Sequence, residues 1–154
     1  MIGTNDLEKA KAFYDTLLGT IGVPPGRVDR HRVFYRTPTG TFGVTKPIDG
    51  KPATAANGGT IGFVCSSPEQ AAAWHAAGVA NGGTSCEDPP GVREGGKAFL
   101  AYLRDPDGNK LCAVARVGCS DGSRVRKKPP GLYTVRLFLR LPARCPVPPH
   151  SNLR

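Results

Sequence analysis

Ala101-Tyr102-Leu103-Arg104-Asp105-Pro106-Asp107-Gly108-Asn109-Lys110-Leu111-Cys112 is the stretch of this 154-residue chain from which its fold is read. It spells a strand, a tight Asp-Pro-Asp-Gly turn and a returning strand. Proline presets φ at the second turn position, the aspartates can bond nearby backbone amides, and glycine accepts a left-handed conformation. Alternating apolar residues on both sides make the whole a hairpin.

Working back from the hairpin, strands are predicted at 98–104 and 110–116, with a further one at 84–86. Between them, 87–97 is a Pro/Gly-rich loop of the kind that covers a pocket mouth. Upstream, Ile61-Gly62-Phe63-Val64-Cys65 leads into a helix over 67–77, with Ser67 at its N-cap, Pro68 at the first position, Trp74 within it and Gly78 at its end. The same order occurs earlier in the chain. Ile2-Gly3-Thr4 leads into a helix over 6–18, entered at Asn5 with Glu8 three residues on. Leu7, Ala10, Tyr14, Leu17 and Leu18 give that helix one apolar face, and Gly19 and Gly22 stop it. Strands over 28–37 and 41–46 follow, around the turn Pro38-Thr39-Gly40, and 47–59 has a linker's Gly, Pro, Ala and Asn.

The hairpin and this half-chain repeat resemble the vicinal oxygen chelate superfamily, which includes glyoxalase I, the bleomycin and fosfomycin resistance proteins and the extradiol dioxygenases. The resemblance implies an α+β fold of two tandem βαβββ modules forming a curved mixed sheet around a cavity. The first module would be 1–46 and the second 60–116, with 47–59 between them. It also makes Tyr102 the catalytic candidate, because extradiol enzymes carry a tyrosine three residues before the first acid of this turn. The histidine those enzymes place earlier has no counterpart in 92–97.

Metal-using members hold one divalent ion through four strand positions. Here the first falls at or before Met1, the second near 44–46, the third at Thr60 and the fourth at Cys112, where a glutamate is common in the family. A threonine hydroxyl and a thiol suit neither hard oxygen-preferring ions nor zinc, so no cofactor is expected. The histidines do not replace the missing ligands. His31 lies between Arg30 and Arg32 in a polar segment, His75 is on the second helix and His150 is near the end of the chain. Of the three, His31 is best placed to reach a pocket.

Side chains alternate along a strand, and the family positions identify the face that looks into the cavity. Cys112, Val114 and Arg116 share that face of the last strand, while Leu111, Ala113 and Ala115 face the helices. Thr60, Gly62 and Val64 join them, with Leu100 and Tyr102. From the first module the expected lining is Phe42, Val44 and Lys46, with Phe34 and Arg36 contributing. A mostly apolar concave surface with a few polar points is the usual make-up of a small-molecule site.

The formal charge of +9 is unevenly placed. From Val117 onward there are eight Lys or Arg against one acid, whereas 1–116 holds 13 basic and 11 acidic residues. The basicity belongs to a Pro-rich tail, 117–154, and says little about what the domain binds, and a nucleic-acid partner is not expected. In that tail 133–141 alternates well enough for an added or swapped strand, and its composition equally suits a non-native extension. Five cysteines without a C-x-x-C pair support neither a disulfide framework nor a zinc site. No run reaches the roughly 20 apolar residues of a membrane span, and a cytoplasmic protein is expected.

Together these readings imply a glyoxalase/bleomycin-resistance-like protein that binds a small organic molecule without the family metal. The family's tendency to pair half-open sheets implies a homodimer. The alternative is a divalent-metal-dependent lyase or dioxygenase, lactoylglutathione lyase-like, using Ni, Zn, Mn or Fe. A remote alternative is nucleic-acid contact through the basic tail.

Overall fold

The computed structural model describes residues 1–117. The first module runs β1 (Ile2–Gly3), α1 (Leu7–Gly19), β2 (Arg27–Asp29), β3 (Arg32–Thr37) and β4 (Gly40–Thr45). Its sheet has the order β1-β4-β3-β2, with β1 parallel to β4 and the other pairs antiparallel. The second module runs β5 (Ile61–Val64), α2 (Pro68–Ala80), β6 (Thr84–Ser85), β7 (Gly91–Val92), β8 (Ala98–Arg104) and β9 (Lys110–Arg116). Its sheet has the order β5-β9-β8-β6, with β7 also paired to β8 and β5 parallel to β9. The fold is α+β, with one mixed sheet in each module. The strand expected at 133–141, in the tail beyond 117, lies outside the described residues.

Both helices and one face of each sheet bury their apolar side chains in a single core. A chain of rings crosses it from one module to the other. Tyr14 on α1 meets Phe42 on β4 at 5.1 Å between centroids, Phe42 meets Phe63 on β5 edge-on at 5.5 Å, and Phe63 meets Trp74 on α2 at 5.9 Å. Tilted and edge-on pairs of this kind contribute about 0.5–1.5 kcal/mol each beyond the area they bury.

This core corrects the expected lining of the first module. The register Val33↔Val44 and Tyr35↔Phe42 turns all four side chains toward the helices, leaving Phe42 and Val44 6% and 1% exposed. They are core residues. The opposite face of that sheet carries Phe34 and Arg36, paired with Gly43 and Thr41, and Lys46 is exposed beyond the end of β4. Strand alternation fixes which residues share a face, and the chemistry of the set decides which face is buried. Val33, Tyr35, Phe42 and Val44 are all large and apolar, so that set went inward.

Three boundaries also differ from expectation. Residues 28–37 form two strands, because Arg30 takes φ 53° and folds a hairpin in which Asp29 pairs with Arg32. Asp6, not Asn5, caps α1, accepting from the amides of Glu8 and Lys9. The Asn5 side chain is used elsewhere, accepting from the Ala53 amide at 2.8 Å and donating to Asp107 Oδ1 at 3.1 Å. Helix α2 continues past Gly78 to Ala80. Gly78 is a packing residue: a Cβ there would come within 2.4 Å of Leu103 Cδ2 and 2.9 Å of Leu17 Cδ1.

The Asp105–Gly108 turn fastens the modules together. Asp105, 5% exposed, accepts from the amides of Asp107 at 3.0 Å and Asn109 at 2.8 Å through Oδ1. Its Oδ2 accepts from the Asn109 side chain at 2.9 Å and from the Tyr14 hydroxyl of α1 at 2.6 Å. Asp107 accepts from the Thr4 hydroxyl at 2.5 Å and the Asn5 amide at 2.9 Å. Gly108 takes φ 89°, the conformation for which the turn needs glycine.

Candidate functional site

The face of the second sheet that points away from the core is ordered in rows by the pairings β5·β9 and β8·β9. Cys112 pairs with Gly62 and Tyr102, and Val114 pairs with Val64 and Leu100. One step toward the turn, Lys110 pairs with Arg104, and Thr60 immediately precedes β5 beside them. Leu111, Ala113 and Ala115 are buried on the other face, toward the helices, as their alternation requires. From the turn outward, the face therefore runs from cationic at Lys110 and Arg104, through Tyr102 and Cys112, to apolar at Val64, Val114 and Leu100, with the exposed Arg116 one row beyond.

A cavity of about 430 Å³ opens at the cationic end, lined by the loop 55–60, Arg104 and Lys110. Thr60, expected to line the site, belongs to it. Arg104, Lys110 and the loop are contributors that sequence reading missed. The signal was present for the two cations, because the alternation that groups Cys112 with Val114 extends back to Lys110 and across the turn to Arg104. The loop read only as a linker.

Tyr102 is half-buried with cations near its ring. Lys110 Nζ lies 5.0 Å and Arg93 Cζ 5.9 Å from the ring centroid. Lys110 also pairs with Glu87, while the Arg93 guanidinium donates to the carbonyls of Pro89 and Asp88 at 2.9 and 3.2 Å. The loop that follows β6 is thus tied to the sheet edge beside Tyr102. Burial, then the neighbouring Cys112, raises the Tyr102 pKa above its ordinary value. Burial likewise raises that of the Cys112 thiol. Near neutral pH both groups keep their protons, so Tyr102 offers a hydrogen-bond donor and Cys112 is a poor nucleophile.

The described histidines stand apart from this cluster. His31 accepts from Arg32 Nε at 3.2 Å and lines a separate cavity of about 200 Å³ with Asp29, Arg30 and Arg32. His75 meets Ser85 Oγ at 3.0 Å, and burial lowers its pKa. Phe34 and Arg36 lie on the outer face of the first sheet, with the Arg36 guanidinium 5.6 Å from the Phe34 ring. That face and the Tyr102 face belong to different sheets, and the two sheets do not pair with each other.

Residues 1–113 match the model of the Glyoxalase/Bleomycin resistance protein/Dioxygenase superfamily. The chain belongs to this superfamily. Within the glyoxalase/bleomycin resistance superfamily it is similar to a glyoxalase/bleomycin resistance protein from Albidiferax ferrireducens T118, at 63% identity over 75% of this chain and 94% of that one, with a TM-score of 0.73. A glyoxalase-related enzyme from Fulvimarina pelagi shares the fold at 19% identity over 86% of this chain and 92% of that one, TM-score 0.61. Lactoylglutathione lyase from Agrobacterium tumefaciens shares it at 18% identity over 74% and 88%, TM-score 0.54. No curated protein matches the chain.

The superfamily's metal positions can now be tested against the donors that occupy them. At the second position, Val44 is buried toward the helices, the Thr45 hydroxyl is bonded to the Lys46 carbonyl at 2.8 Å, and Lys46 is a cation. At the third, Thr60 shares a cavity with Arg104 and Lys110, whose charges oppose a divalent ion. At the fourth, burial holds Cys112 away from the thiolate form in which sulfur binds metals. These donors do not fit a divalent metal. Among the described residues no group of three or more His, Cys, Asp or Glu could hold a metal ion.

Proposed function

We propose that this protein binds a small organic molecule against the outer face of its second sheet, without a divalent metal. The observation that carries the reading is the graded face itself, apolar at Val64, Val114 and Leu100 and polar at Tyr102, beside a cavity of about 430 Å³. A mostly apolar concave surface with a few directed polar groups is the usual form of such a site. Tyr102 anchors the molecule as a donor. The raised pKa values of Tyr102 and Cys112 favour binding over acid–base or nucleophilic chemistry at this face.

The reading includes a homodimer in the cytoplasm. On the outer faces of the two sheets, Val64 on one and Met1 beside the other are 38% and 65% exposed. A second copy laid across them would enclose the ligand and remove apolar surface from water.

The decisive experiment combines light scattering, native mass spectrometry and metal analysis on the full chain. A dimer mass, under 0.1 equivalent of metal as a rough ceiling, and an organic adduct lost on Tyr102→Ala substitution are expected. Stoichiometric Ni, Zn, Mn or Fe, restored after chelation and accompanied by lactoylglutathione lyase or ring-cleaving activity, would replace this reading with the metal-dependent one.

A further inference from the structure

The cavity beside Tyr102 has a chemical preference that a generic small-molecule reading does not specify. Among the described residues, the charged side chains lining it are Arg104 and Lys110, both cationic, and its other walls are neutral loop residues and Thr60. Arg104 spends one donor on the Gly108 carbonyl, at 2.7 Å, leaving the rest of its guanidinium free of described partners. Lys110 is paired with Glu87, whose side chain is 43% exposed and does not line the cavity. A guanidinium presented with spare donors suits an oxyanion, which it can grip through parallel hydrogen bonds.

A second observation gives the rest of the ligand its character. From the Lys110 row to the Val114 row is four residues along β9, about 13 Å, and over that span the face passes from cationic to apolar. We infer that the bound molecule is an amphipathic organic anion, with a carboxylate or phosphoryl head in the cavity at Arg104 and Lys110 and an apolar body over Val114, Leu100 and Val64. The inference rests on the outer face of the second sheet being the binding face, and it adds the class of molecule and its direction on the sheet.

The test uses the full chain with three probes of matched length: octanoate, octylphosphonate and neutral octanamide, followed by amide NMR shifts and calorimetry. At least one anion should bind at least about tenfold more tightly than octanamide, and whichever anion binds more tightly identifies the head group. Shifts should centre on Gly58, Gly59 and Thr60 for the head and on Val114 and Leu100 for the body. Arg104→Gln, at an exposed position, should weaken anion binding to the level of octanamide, and Lys110→Gln should do so independently, whereas loss of anion and octanamide binding in equal proportion would overturn the anion class. Equal binding of anions and amide with shifts at Val114 and Leu100 would overturn the anion class while keeping the binding face. Absence of shifts on this face with every probe would overturn both.

Discussion

The two modules end in hairpins at equivalent places in the repeat, and the two turns do different things. In the first module, Thr37 donates to the Gly40 carbonyl at 3.1 Å, so that contact closes its own hairpin. In the second, the buried Asp105 carboxylate accepts four hydrogen bonds and reaches Tyr14 on α1, while Asp107 reaches Thr4 and Asn5. One turn finishes a strand pair, and the other joins two halves of the molecule. The difference bears on the site, because Arg104 and Lys110 flank the second turn directly. The clamp that holds the modules together also positions the cationic end of the graded face.

Removing the clamp should have the largest effect. Asp105→Ala leaves the Tyr14 hydroxyl and the Asn109 amide buried without their acceptor, and a loss of about 3–5 kcal/mol is expected in urea unfolding. Alkaline pH should act next. Burial pushes the Cys65 thiol up to about 11 from its ordinary 9.0. A raised pKa favours folding while the group is protonated, so this contribution is full below pH 9 and is lost as pH rises toward 11. The loss is at most about 2–3 kcal/mol, and burial followed by Asp105 shifts Tyr14 in the same direction. Thermal melts between pH 8 and 11 should show the decline, and Cys65→Ala should flatten part of it. Substituting Thr37 by Ala, at the other turn, should cost under about 1 kcal/mol. A cost there approaching that of Asp105→Ala would erase the contrast between the turns.

Strands β8 and β9 and the start of α2 were legible because each carries its own local signal, whereas β7 (Gly91–Val92) forms within a segment that reads as loop. Those signals are the Asp-Pro-Asp-Gly turn, the alternation on either side of it, and Ser67 before Pro68. The helical face Ala10, Tyr14, Leu17 and Leu18 was equally plain, and all four residues are buried. The buried side of β4 was not. Phe42 and Val44 suit an apolar pocket as well as a core, and only the Tyr14 and Phe63 rings packed around Phe42 distinguish the two. Gly78 reads as a helix stop because local rules have no term for a Leu103 side chain in the place its Cβ would occupy.

For the site, alternation, which depends on covalent geometry alone, put Leu100 with Tyr102 and Cys112 with Val114, and the family resemblance put the two pairs on one face. The cavity was not legible, because a loop 44 to 49 residues before Arg104 in the chain forms its wall. By itself, then, the sequence determined the family, the module order and which residues share a face, since all three follow from short-range pattern. The tertiary structure decided which face is buried, which turn binds the modules and where two cations meet a loop. Those outcomes depend on contacts between segments whose separation along the chain carries no local signature.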